Sequence, residues 1–180
     1  MSLPAVPPTE LAEVIREVQE YIQQQRRCYF PLAQPLSRPQ KRAMGPFFVA
    51  ALLDEARVHV IPPASFPNPA FVYRARARGF QHMPEFSHQR ELTFQDVVLL
   101  QEPASDRLLF HGLVHVVQCQ VLGLERYVAA YLRAFVNTGR HVTVPLEVQA
   151  FQLDERFAAA PARPFSVEDE VRDWERRRLF

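Results

Sequence analysis

The sequence contains few cysteines and almost no net charge. Cys28 and Cys119 are the only two cysteines in 180 residues, which excludes the dense disulfide framework that holds small secreted domains together. The 21 basic and 20 acidic side chains leave a net charge of +1. General binders of nucleic acid or of anionic membranes carry a clear basic excess. We therefore expect neither of those partners, and we expect a reducing compartment.

Long apolar runs are also missing. The longest mostly apolar stretches, such as residues 46–53, are much shorter than the roughly 18 residues that suggest a membrane span. The first residues, MSLPAVPPTELAEV, have neither the basic n-region nor the apolar h-region of a secretory signal. These features predict a cytoplasmic protein without a membrane span.

Several catalytic motifs are absent from the sequence. It has no G-x-G-x-x-G, no Walker-type loop, no G-x-S-x-G and no paired-cysteine zinc motif. Dinucleotide binding, nucleotide hydrolysis and nucleophilic-serine chemistry therefore have no support in the sequence.

The residues that are present predict one packed α+β domain over residues 1–180. Hydrophobic residues make up 48% of the chain, which is usual for a globular core. Of the 16 prolines, 13 lie in residues 1–103, and proline ends helices and interrupts sheets. We therefore expect a small sheet in the N-terminal half, packed on a helical C-terminal half.

The N-terminal half begins with a predicted helix over residues 9–25, capped by Thr9 and apolar along one face. Residues 26–45, with three prolines, are expected to be an extended connection. His82 and His88 lie in a loop-like stretch and are expected to be solvated. Further predicted elements are a short helix at 47–55 and strands at 57–61, 71–76 and 92–100.

The C-terminal half gives clearer signals. Ser105 as N-cap and Gly123 as stop predict a helix with the sequence DRLLFHGLVHVVQCQVL. This helix is apolar almost all round, so it belongs in the interior of the domain. Further expected elements are a helix at 124–137, an extended piece at 141–144, a helix that begins at Pro145 and a tail helix at 166–178.

Two histidines on the apolar helix form the most informative pattern. His111 and His115 are four positions apart, so both imidazoles lie on one helix face, as two ligands of one metal ion do. Buried imidazoles must be coordinated or hydrogen-bonded to offset desolvation. Two readings stay open: a shared zinc or other divalent transition metal, or two separately satisfied core histidines.

Glu147 is the preferred third ligand. It lies in the first turn of the helix that begins at Pro145, and the intervening helix allows the chain to return toward the histidines. A glutamate there is also favoured by the helix dipole without any ligand role. Glu125 and Glu155 are less suitable, and Cys119 is expected to be a buried small hydrophobe because it lies about 12 Å of helix rise from His111.

The string FHGLVHVVQ resembles the active-site helix of the zincin metallopeptidases, whose motif is H-E-x-x-H followed by a glutamate on a later helix. The resemblance covers residues 92–157. It implies that His111, His115 and Glu147 hold zinc. It also implies that the strand near 92–100 borders a groove for a peptide or protein segment.

The sequence departs from that motif at Gly112, which occupies the position of the general-base glutamate. Loss of a positioned base typically lowers the rate by about 10² to 10⁴. Gly112→Glu is expected to return some hydrolysis if the glycine is the only defect. Weak candidates for a substitute base or oxyanion partner are Tyr131, His141, Glu102 and Glu125.

Three functional hypotheses follow. The first is a zinc-binding, zincin-like pseudo-peptidase with impaired or no hydrolysis. The second is an active metallohydrolase or peptidase that uses a different general base. The third is a metal-free structural or interaction domain with two core histidines.

Overall fold

The N-terminal part of the chain builds one small sheet. In the computed structural model, which describes residues 7–62, 66, 68–80, 83, 86 and 89–180, the strand order is β1-β2-β4-β3. Strands β2 and β4 are parallel, and the other neighbouring pairs are antiparallel. Within the described sheet β3 is therefore an edge strand. The strands are β1 (Gln34–Pro35), β2 (Arg57–Ile61), β3 (Glu91–Phe94) and β4 (Val97–Gln101).

Helices pack on this sheet and make up most of the C-terminal half, which confirms the predicted α+β class. The described residues contain the α-helices α1 (Pro8–Tyr29), α2 (Arg38–Met44), α3 (Ala50–Glu55), α4 (Ala70–Ala77), α5 (Asp106–Leu122), α6 (Leu124–Thr138), α7 (Pro145–Ala159) and α8 (Val167–Arg176).

Helix α5 forms the centre of the domain, as its apolar sequence predicts. Ser105 caps it by accepting a hydrogen bond from the Leu108 backbone N–H at 3.1 Å. One face of α5 packs against β3 and β4, and another packs against α7. Phe110 is fully buried and stacks on Phe157 of α7 with ring centroids 4.5 Å apart. These contacts fix the helix that carries both histidines between the sheet and α7.

Several predicted elements differ from those observed. Residues 71–76, predicted as a strand, belong to α4, because Phe71, Val72 and Ala75 bury a single helical stripe. The strand predicted at 92–100 is the hairpin β3–β4, interrupted at Gln95, which has a left-handed φ of 61°. A hairpin turn of this kind cannot be read from alternating apolar residues alone.

Other predicted elements also differ in type or in their boundaries from those in the structure. The predicted extended connection at 26–45 contains the end of α1 and all of α2, which Ser37 and Gln40 cap reciprocally. The predicted extended piece at 141–144 is a single 3₁₀ turn, His141–Thr143. The tail helix is slightly shorter than 166–178, and the N-terminal helix is longer than 9–25.

None of the described helices combines the length and the apolar composition that a membrane span requires. Helices α5 and α6 satisfy the criterion of length and apolar composition only as a pair, and that pair is bent by 113°.

Candidate metal centre

His111 and His115 face each other on α5. Their Nε2 atoms lie 3.1 Å apart, and both side chains are buried, with 8% and 4% of their surfaces exposed. The i, i+4 spacing therefore does bring the two imidazoles to one point, as the sequence predicts.

Glu147 reaches the same point from the first turn of α7. Its Oε2 atom lies 3.6 Å from His111 Nε2 and 3.4 Å from His115 Nε2. Zinc–ligand distances of about 2.0–2.1 Å in a tetrahedron separate the ligand atoms by about 3.3–3.4 Å. The three observed separations fit that edge length, so these residues fit a single ion.

The outer nitrogen of His111 is held by an acidic residue of α7. Asp154 Oδ2 lies 2.8 Å from His111 Nδ1, and Asp154 Oδ1 accepts hydrogen bonds from Arg107 at 2.6 and 2.9 Å. A carboxylate in this setting accepts, so His111 Nδ1 is the donor. Metal-bound histidines are commonly oriented by a carboxylate in this way.

The outer nitrogen of His115 is held by a buried amide. Gln118 Nε2 donates to the Leu146 carbonyl at 2.9 Å, which directs Gln118 Oε1 to His115 Nδ1 at 2.8 Å. His115 Nδ1 is therefore also a donor. Because both Nδ1 atoms carry hydrogens, the two Nε2 atoms are left as acceptors that face the Glu147 carboxylate.

Three acceptor atoms that converge in a buried site require positive charge between them. Burial opposes charging His111, but its hydrogen bonds to Asp154 and Glu147 outweigh burial and raise its pKa from 6.5 to about 10. The pKa of His115 is also raised, because nearby Glu147 outweighs burial. Burial would raise the pKa of Glu147, yet the two imidazoles hold it well below its ordinary value. Protons or one metal ion can supply this charge.

Tyr131 and His141, the weak candidates for catalysis, also reach the site. The Tyr131 hydroxyl lies 2.8 Å from His141 Nδ1, and His141 Nε2 lies 3.4 Å from Glu147 Oε2. Burial lowers the pKa of His141, which favours its neutral form. The pair therefore adds two polar side chains beside the Glu147 oxygen that faces both α5 histidines.

Gly112 lies where residues of β3 and β4 pack closely on α5. A Cβ atom at this position would lie 2.5 Å from Val98 Cγ1 and 3.0 Å from Glu91 Oε1. Any side chain here would displace one of them, so the close approach explains the glycine in a helix interior. A glutamate at this position would first have to displace Val98 or Glu91, so the Gly112→Glu rescue stays a prediction that this close packing disfavours.

Glu91, which no motif in the sequence indicates, adds a second carboxylate to the centre. One of its oxygens and one nitrogen of each of His111 and His115 lie within 4.8 Å of one another. The Thr93 hydroxyl forms a short hydrogen bond with Glu91 Oε1 and lies 3.2 Å from the Gly112 carbonyl. Burial raises the pKa of Glu91, against the effect of the two imidazoles.

A cavity of about 490 Å³ opens beside these groups. Its wall is mostly apolar and includes the whole of β3, and His111, His115 and Glu147 are among the polar residues that line it. Mostly apolar clefts with a few convergent polar groups are the usual form of ligand sites.

The remaining candidates lie away from the centre or outside the described part of the chain. Glu102, Glu125 and Glu155 are exposed. Cys119 is buried, and burial raises the pKa of its thiol to about 11, as suits a small core residue. His82 and His88 lie outside the described residues.

Two of the missed residues had a readable signal. Asp154 lies seven positions after Glu147, and Gln118 lies seven after His111, so each pair shares a helix face two turns apart. For Glu91 the only signal in the sequence was indirect. The glycine at position 112 indicates that another element packs closely on the helix, but it does not indicate which residue does so.

Comparisons with protein-family models, curated proteins and solved structures found no match for this chain. The resemblance to zincins therefore rests on the residues of the motif.

Proposed function

We propose that this protein is a zincin-like metal-binding protein that holds one zinc ion, or another divalent transition metal, through His111, His115 and Glu147. One observation carries the proposal: three buried acceptor atoms converge at separations of 3.1, 3.4 and 3.6 Å. Two core histidines satisfied separately would not need to direct both Nε2 atoms at the same carboxylate.

The donor set favours zinc over magnesium or calcium. Imidazole nitrogens suit zinc, whereas magnesium and calcium prefer oxygen ligands. Two histidines and one glutamate also leave a fourth position free, as is usual in catalytic zinc sites. When bound there, zinc would polarise a carbonyl group and lower the pKa of a coordinated water to about 7.

An extended peptide or protein segment is the proposed ligand of the cavity. Strand β3 pairs with β4 through one edge, and its residues line the cavity. A peptide can pair with an exposed strand edge through backbone hydrogen bonds while its side chains enter adjacent pockets. The apolar wall favours peptides with aliphatic or aromatic side chains.

The proposed location is the cytoplasm. Cys28 is exposed and Cys119 is buried, and both are free thiols. Unpaired cysteines are consistent with a reducing compartment.

Metal content of the purified protein tests the proposed function. Wild-type protein reconstituted with zinc and then desalted should hold about one ion per chain. His111→Ala, His115→Ala and Glu147→Ala should each lose it, because each removes a ligand. Zinc should also raise the unfolding temperature of the wild type but not of these three variants, since binding to the native state stabilises that state.

Glu155→Ala is the matched control for Glu147→Ala, because Glu155 lies on the same helix and is exposed. It should retain zinc. His141→Ala should also retain about one zinc per chain, with affinity weakened by no more than about 10- to 100-fold, because His141 contacts the ligand Glu147 and is not itself one of the three proposed ligands. A wild-type protein that binds no zinc after reconstitution would contradict the proposal and favour the metal-free domain.

A further inference from the structure

We infer that Glu91 is the general base of a peptide-hydrolysing site. Its carboxylate comes from strand β3, and the glycine at position 112 leaves the room that this carboxylate occupies. The inference rests on the proposed zinc site and adds an activity to it. It favours the hypothesis of an active hydrolase over that of a pseudo-peptidase.

Hydrolysis of an amide requires a group that accepts a proton from the attacking water. Among the described residues that line the cavity, the carboxylates are Glu91, Glu147 and Asp154. Glu147 faces both histidine Nε2 atoms. Asp154 uses one oxygen for Arg107 and the other for His111. Glu91 is the carboxylate left for proton transfer.

The position of Glu91 suits this role. It begins β3, the strand proposed to pair with the substrate. Its carboxyl group lies within 4.8 Å of one nitrogen of each imidazole, which is close enough for a single water molecule to contact both. A base acts directly or through one water, so this arrangement meets the geometric requirement.

The surroundings of Glu91 hold its carboxyl group in place. The Thr93 hydroxyl binds Oε1, and Thr93 shares the β3 face of Glu91 at the i, i+2 spacing. Gly112 provides the room, because a Cβ atom there would lie 3.0 Å from the same Oε1 atom. A larger residue at position 112 would therefore displace the Glu91 carboxylate or the Val98 side chain.

The proton transfer balances without any further reactant. Glu91 accepts a proton from water as the water oxygen forms a bond to the carbonyl carbon of the substrate amide. The carbon–nitrogen bond then breaks, and the proton on Glu91 passes to the leaving nitrogen. The products are a carboxylic acid and an amine.

Glu91→Gln tests the inference, because it removes the proton acceptor and keeps the size of the side chain. The zinc-loaded variant should still contain about one zinc per chain. Its chelator-sensitive cleavage of internally quenched peptides with aliphatic and aromatic residues should fall by about 10² to 10⁴. Glu91→Asp, which keeps a shorter carboxylate, should fall less. Glu55→Gln, at an exposed position on α3, is the control and should cleave like the wild type.

A binding measurement gives a second readout that does not depend on turnover. A peptide hydroxamate with an apolar side chain gives up a proton when it binds a zinc site, and a nearby carboxylate can accept that proton. Calorimetry should show affinity for the zinc-loaded wild type that is weakened at least tenfold in Glu91→Gln.

The possible outcomes distinguish failure of the inference about Glu91 from failure of the proposed zinc site. Loss of zinc from Glu91→Gln would overturn the inference, because it would show that Glu91 is a zinc ligand. The proposed zinc site itself would not be contradicted by that result. Zinc-loaded wild type without chelator-sensitive cleavage, or a Glu91→Gln variant with unchanged cleavage and hydroxamate affinity, would also overturn it. Wild type without zinc would overturn both the inference and the proposed function.

Discussion

Glu91 Oε1 lies 3.0 Å from the position that a Cβ atom at Gly112 would take. A strand residue thus fills the space beside the first histidine of the motif, and the helix carries no side chain there. The observed packing of β3 against α5 therefore requires a residue without a side chain at position 112.

Gly112→Ala should destabilise the protein. Alanine gains about 1 kcal/mol of helix propensity over glycine, but overpacking typically costs about 1–3 kcal/mol. Val98 is fully buried and would lie 2.5 Å from the new Cβ atom, so we expect overpacking to dominate. The expected net loss is up to about 2 kcal/mol, which corresponds to up to about 4–8 °C in unfolding temperature for a domain of this size. Gly112→Glu should lose at least as much and should not increase hydrolysis.

A double-mutant cycle provides the control for this prediction. Val98→Ala removes the atom that the new Cβ would meet, so Val98→Ala/Gly112→Ala should be less destabilised than the sum of the two single variants. Strict additivity in chemical denaturation, or a more stable Gly112→Ala, would contradict the close approach of β4 to α5.

Asp154→Asn should weaken zinc binding by about 10- to 100-fold, because residues that orient a ligating histidine contribute on that scale. The variant keeps the shape of the side chain but removes the charge that binds Arg107 and orients His111. Competition with a chromophoric chelator measures the affinity.

Asp173→Asn is the matched control for Asp154→Asn. Asp173 lies on α8 and pairs with Arg176 and Arg177 at the surface, so its neutralisation should leave zinc affinity unchanged. Equal affinities of the wild type and both variants would show that Asp154 does not support the site.

Zinc binding at pH 7 should release about one proton or more per ion. The folded-state pKa of His111 is raised to about 10, so the metal-free protein holds that proton at pH 7 and must give it up to the metal. Calorimetry in buffers of different ionisation enthalpy measures the release. A binding enthalpy that is independent of the buffer would contradict protonation of the metal-free site.

The same shift sets the pH dependence of the metal-free protein. Because the pKa of His111 rises from 6.5 to about 10 on folding, its protonation contributes stability fully below about pH 6.5. That contribution should decline as the pH rises toward 10. Thermal unfolding of zinc-free protein across this range should show the decline, and His111→Gln should remove it.

Much of the C-terminal half was predictable because its signals are local. Ser105 and Gly123 mark the ends of α5, and Pro145 marks the start of α7. The histidine spacing then required no knowledge of tertiary structure, because one helix holds both residues. Glu147 was placed correctly beside them through the expected return of the chain.

The contribution of the sheet could not be predicted from the sequence. Glu91 lies 20 positions before His111, and its place depends on the hairpin register that pairs it with Leu100. A shift of that register by one residue would turn Glu91 to the opposite face. The predicted strand at 71–76 failed for a related reason, since a short apolar run fits a helix as well as a strand.

The zinc-edge anomalous scattering of crystals grown from zinc-reconstituted protein tests the central claim most directly. The account predicts one peak per chain, within about 2.0–2.2 Å of His111 Nε2, His115 Nε2 and a Glu147 oxygen. The Glu91 carboxylate should lie beyond ligand distance from that peak. An absent peak, or one located away from these three atoms, would contradict the account.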